Sequence, residues 1–105
     1  MERIKDLETL LVVYEQEPNL PLLDLHTFES TDVGAQLQDF LVQKINEGID
    51  AVRVVYGRGG RRALRNEALL WLKSNIETGG TNRLVSGFGE ENKTAGGSCV
   101  VILDK

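Results

Sequence analysis

Cysteine, histidine and proline are almost absent from this 105-residue chain: Cys99, His26, Pro18 and Pro21 are the whole supply. One cysteine closes no intramolecular disulfide. Cys99 sits in the apolar run Cys99-Val100-Val101-Ile102-Leu103, where a thiol behaves as a small core residue. One histidine and one cysteine also fall short of the usual zinc ligand set. Long apolar runs are missing: stretches such as Leu10 to Tyr14 and Cys99 to Leu103 are far too short to span a membrane, and the charged opening MERIKDLE does not read as a signal peptide. A cytoplasmic protein without membrane contact is expected. Between Gly57 and Leu64 there is neither lysine nor a hydroxyl residue, which excludes a Walker-type P-loop. A dinucleotide fingerprint is excluded as well, because Arg62 stands where its third glycine belongs and no acid follows at the end of the next strand.

What is present is an ordinary globular composition, 41% hydrophobic and 27% charged, in a length suited to one domain. The net charge of −4 hides an asymmetry. Residues 1 to 50 carry eleven acids and three bases, whereas residues 51 to 105 carry nine bases and five acids. Arg53, Arg58, Arg61, Arg62 and Arg65 follow one another with no carboxylate between them. Such a run either points into water or awaits a counter-anion.

Leu22-Leu23-Asp24-Leu25-His26 alternates and follows the two prolines, so it reads as a first strand. Val33, Leu37, Phe40, Leu41 and Ile45 recur at helical spacing within Thr31 to Glu47, with Ser30 or Thr31 as N-cap and Gly48 as the stop. Ala51 to Tyr56 is a β-branched strand running into Gly57-Arg58-Gly59-Gly60. Leu64, Ala68, Trp71 and Leu72 predict a second helix up to about Asn75. Arg83 to Phe88 and Cys99 to Leu103 predict two more strands. Ile4, Leu7, Leu11 and Tyr14 fit one face of an N-terminal helix. The fold class is therefore α/β: a two-layer sandwich of order β-α-β-α-β-β, with a mixed four-stranded sheet and two helices on one face. Residues 1–21 form an extension that covers part of the other face, and residues 22–105 form the domain.

Asp24 and His26 leave one face of a strand, so the carboxylate can orient the imidazole and raise its basicity, as general base catalysis requires. The same pair can equally be a polar cap on a sheet edge. In open α/β sheets ligands bind beyond the carboxyl ends of the strands, here His26 and Tyr56-Gly57. Around the start of the second helix stand Tyr56, Gly57, Arg58, Gly59, Gly60, Arg61, Arg62 and Arg65. Arginines in a first helical turn oppose the helix dipole, and a phosphate held by the turn's N–H groups and by Arg58 would relieve them.

These residues, taken together, resemble the small MutS-related (Smr) domain family. Leu23-Asp24-Leu25-His26 is similar to its LDxH motif and Tyr56-Gly57-Arg58-Gly59 to its HGxG or TGxG motif. Ala63-Leu64-Arg65 with Trp71-Leu72 looks like the helix that follows, and Gly96-Gly97 like its paired glycines. Two positions depart: Thr27 replaces a glycine, and Tyr56 stands in place of His or Thr. The resemblance implies a fold like the C-terminal domain of a bacterial translation initiation factor, and binding to DNA or RNA. It also implies nicking or RNA-cleaving endonuclease activity, in some members on messenger RNA at stalled ribosomes. By position, Asp24 and His26 would be catalytic and the glycine loop would grip the backbone, with Mg²⁺ or Mn²⁺ open as a cofactor. Tyr56 can stack on a base or donate a hydrogen bond but is no base near neutral pH, so binding is better supported than cleavage. The alternatives are a non-catalytic nucleic-acid-binding module and a module that docks on a ribosome or another protein through the acidic N-terminal half.

Overall fold

A computed structural model of the chain describes residues 7–57, 62–91 and 97–104. Its elements are α1 (Leu7–Glu15), β1 (Leu22–Asp24), α2 (Val33–Asn46), β2 (Ala51–Val55), α3 (Arg62–Thr78), β3 (Val85–Glu90) and β4 (Ser98–Leu103). The four strands form one mixed sheet in the order β1-β2-β4-β3. β1 and β2 run parallel, while β4 is antiparallel to both β2 and β3. The expected α/β architecture is the one observed.

The core lies between the sheet and the layer of α2 and α3. Val33, Leu37 and Leu41 of α2 and Leu64, Ala68 and Leu72 of α3 recur every fourth residue, and all are fully buried. Alternation along the strands brings Val52, Val54, Cys99, Val101 and Leu103 to meet them. Each large side chain buried here contributes about 2 kcal/mol. The helices approach closely at Gly34, where a β-carbon would stand 3.1 Å from the Trp71 ring.

Helix boundaries differ from the sequence expectation at the start of α2 and the end of α3, while Gly48 stops α2 as expected. A 3-10 turn over Ser30–Asp32 precedes α2, so Asp32, not Ser30 or Thr31, occupies the N-cap, and it makes no side-chain cap bond. At the other end Gly48 takes φ +82°, and the Ile49 N–H returns to the Lys44 carbonyl. Helix α3 runs past Asn75 to Thr78, and Asn75 ties it to the next strand: its Oδ1 accepts from the Leu84 and Val85 N–H groups. The strand expected from Arg83 to Phe88 therefore begins at Val85 and continues to Glu90.

The opposite sheet face carries α1. Gly87 and Gly89 leave room there, and a β-carbon at either position would come within 3 Å of Leu7 or Leu11. The end of α1 is fixed by Arg53, whose guanidinium donates to the carbonyls of Tyr14, Glu15 and Glu17 and, in a fork, to Glu91. Arg53 is thus buried structure and leaves the arginine cluster in which the sequence placed it. No helix among the described residues is long and apolar enough to cross a membrane.

Candidate nucleic-acid interface

The parallel register pairs Leu23 with Val54 and Asp24 with Val55, and the Leu25 N–H extends the ladder by donating to the Val55 carbonyl at 2.7 Å. His26 and Tyr56-Gly57 consequently emerge side by side at the carboxyl end of the sheet. Leu23 and Leu25 turn to the helix layer, so Asp24 turns to the other face. His26 lies just beyond the strand, in a turn closed when the Phe28 N–H donates to the Leu25 carbonyl.

Asp24 Oδ1 accepts the His26 backbone N–H at 3.1 Å and lies 2.6 Å from Nδ1 of the ring. The hydrogen bond from His26 holds the Asp24 carboxyl below its ordinary range, so the oxygen is an ionised acceptor. Two acceptors cannot approach to 2.6 Å, so Nδ1 is the donor, and any lone pair the ring offers is at Nε2. The side chains are 62% and 44% exposed, which leaves this dyad open to a large ligand. It is equipped to take a proton through Nε2 and to return it. Among the described residues no three or more His, Cys, Asp or Glu side chains gather as a metal site. Asp24 is the group here suited to a hydrated Mg²⁺ or Mn²⁺, which keeps several waters and takes one or two carboxylates.

Tyr56 is a correction to the sequence reading. Only 1% exposed, it packs with Val52 and Val54 in the core, and its hydroxyl donates to Glu90 Oε2 at 2.9 Å. Burial drives its pKa upward, and the ring offers no face to a base. Gly57 follows at φ +80°, a conformation that disfavours any β-carbon. The N–H groups of Tyr56 and Gly57 both donate to the Gly97 carbonyl, at 3.0 and 2.9 Å, tying the glycine turn to the start of β4. Arg58, Gly59, Gly60 and Arg61 lie outside the described residues, and Arg62 opens α3.

Arg65 does have an acid. Its Nε and Nη2 donate to the two oxygens of Glu90, at 2.8 and 2.7 Å, and Nη1 donates to Asn66 Oδ1 at 3.3 Å. The sequence reading missed Glu90 because that residue lies 25 positions downstream. The available signal was the doublet Glu90-Glu91 at a strand end, where neighbours must face opposite sides of the sheet.

The Smr domain profile matches residues 23–104. The chain belongs to the Smr domain family. Two solved structures share the fold. The Smr domain of Thermus thermophilus MutS2 is 20% identical, with a TM-score of 0.67, covering 82% of this chain and 100% of that one. YdaL, a stand-alone small MutS-related protein from Escherichia coli, is 18% identical, with a TM-score of 0.70, covering 99% of this chain and 82% of that one. No curated protein matches the sequence. Helix α1 precedes the matched Smr segment, and Asp24, His26, Gly57 and Arg65 fall inside it.

Proposed function

We propose that this Smr domain binds RNA or DNA along the carboxyl edge of its sheet and cuts the phosphodiester backbone there. The observation that carries this reading is the Asp24–His26 dyad, in which a 2.6 Å contact uses Nδ1 as donor and leaves Nε2 for a ligand on a side chain that is 62% exposed. His26 acts as general base or acid, and Asp24 orients it. Arg58, Arg61, Arg62 and Arg65, with the Gly57-to-Gly60 turn, hold the phosphates at the start of α3, where the helix dipole also favours an anion. Residues 1–21 are an extension to the 22–105 domain, and the cytoplasm, including ribosome-bound message, is the proposed place of action.

Incubation of labelled RNA and DNA with the wild type and His26→Ala, with and without Mg²⁺ or Mn²⁺, tests this. The variant should lower the single-turnover rate by about two orders of magnitude or more and leave affinity almost unchanged. Equal rates in both proteins would place the chemistry elsewhere. Binding without cleavage under every metal condition would leave the non-catalytic module, a reading favoured by the openness of the dyad to water.

A further inference from the structure

Glu90 is an unexpected residue to find in a polyanion site, because its negative charge by itself repels a phosphate. Its contacts give it a different use. One carboxylate receives Nε and Nη2 of Arg65 and the hydroxyl of Tyr56, so it joins three segments: the end of β3, the first turn of α3 and the residue that leads into the glycine turn. The fork consumes one edge of the guanidinium and fixes its plane, and the Nη1 end is steadied by a 3.3 Å bond to Asn66 Oδ1. The Tyr56 ring is clamped in the core, so the carboxylate is anchored to a rigid point. An arginine on a long flexible stem loses rotamer freedom when it is ordered by a ligand, and one already ordered loses less.

Resting on the reading that this edge binds nucleic acid, we propose that Glu90 is a positioning residue that holds Arg65 preorganised for a backbone phosphate. It touches no phosphate itself and acts through Arg65. The sign of one substitution separates this from simple electrostatics. Removing a negative charge beside a polyanion should tighten binding if charge alone matters, whereas it should weaken binding if Glu90 positions Arg65.

The experiment is a fluorescence titration of a labelled single-stranded RNA and a labelled duplex DNA at several salt concentrations, with Glu90→Gln, Glu90→Asp, Arg65→Ala, Arg65→Lys and the double variant Glu90→Gln/Arg65→Ala. Glu90→Gln should weaken binding by about three- to tenfold, and Glu90→Asp should recover part of the loss. Arg65→Lys, which keeps the charge but not the fork, should bind nearly as poorly as Arg65→Ala. The double variant should be no weaker than Arg65→Ala alone, and Arg65→Ala should flatten the slope of log K against log salt by about one. Thermal melts report folding, and if Glu90→Gln is unfolded, the comparison of Arg65→Lys with Arg65→Ala carries the test. Tighter or unchanged binding in a folded Glu90→Gln protein overturns the proposal, as does full binding by Arg65→Lys. A wild type that binds neither nucleic acid overturns the binding reading itself, so the two failures are distinct.

Discussion

Glu90 and Glu91 are neighbours in sequence, each forked to an arginine, yet they do different work because a strand end sends them to opposite faces of the sheet. Glu91 takes Arg53 on the α1 side, where the two side chains are 1% and 9% exposed. Ser98 Oγ also donates to it, at 2.6 Å, and Arg53 extends to three carbonyls at the end of α1. Glu90 takes Arg65 on the helix side at the carboxyl edge, where the side chains are 31% and 25% exposed. Similar chemistry at different burial gives a bolt in one place and a clamp at the water's edge in the other. A desolvated ion pair must be complete, since either partner alone is a buried charge, whereas a half-hydrated pair can lose one member to water.

The sharpest way to break this comparison is to delete each arginine. Arg53→Ala removes the cation paired with the buried Glu91 carboxylate and releases the end of α1, and should cost about 3–5 kcal/mol in urea unfolding. Arg65→Ala removes a partner from a partly exposed carboxylate that keeps the Tyr56 hydroxyl, and should shift stability far less, within the range of surface substitutions. Equal losses would mean that the two pairs are the same kind of interaction.

Much of the fold was legible because it rests on periodicity. Leu37 and Leu41, or Leu64, Ala68 and Leu72, announce helices with one buried face, and Ala51 to Val55 announces a strand. The Asp24–His26 contact was expected from a strand running to His26, but β1 ends at Asp24 and the contact is made in the turn that follows, where the His26 N–H and ring both meet Asp24 Oδ1. The partners of the arginines were not legible. Arg53, Arg58, Arg61, Arg62 and Arg65 look like one basic cluster along the chain, but a strand and a helix send Arg53 and Arg65 to different layers, and their acids come from 38 and 25 positions away. Tyr56 was misassigned because the family motif suggested a ligand contact there. Its place after Val52 and Val54 on the same strand face already put it in the core.

Each glutamate also has a hydroxyl donor, which offers a finer comparison. Ser98→Ala removes a short charge-assisted bond from the fully buried carboxylate and should cost about 2 kcal/mol. Tyr56→Phe removes the 2.9 Å bond to the half-exposed Glu90 and should cost about 1 kcal/mol. The order of the two losses is the informative result. If Tyr56→Phe were the more damaging, Glu90 would be as much a bolt as Glu91.

The same comparison extends to a pH dependence on the Glu90 side. Cys99 packs in the core near Tyr56, and burial pushes its thiol up to about 12. Burial raises Tyr56 in the same direction, reinforced by Cys99 and by its bond to Glu90. Above about pH 9 the unfolded chain releases the thiol proton and then the phenol proton, while the folded chain retains both. The unfolded state is then the one binding fewer protons, so stability falls as pH rises, by about 1.4 kcal/mol per pH unit for each of the two groups once it titrates. Urea midpoints measured from pH 8 to 11 should show this decline. In Cys99→Ala the decline should begin later, near the titration of an ordinary tyrosine, and adding Tyr56→Phe should flatten it further. No such change is expected from Ser98→Ala, which acts on the other face. A decline of the same steepness in the Cys99→Ala/Tyr56→Phe protein would assign the alkaline sensitivity to other groups and remove the asymmetry between the two faces.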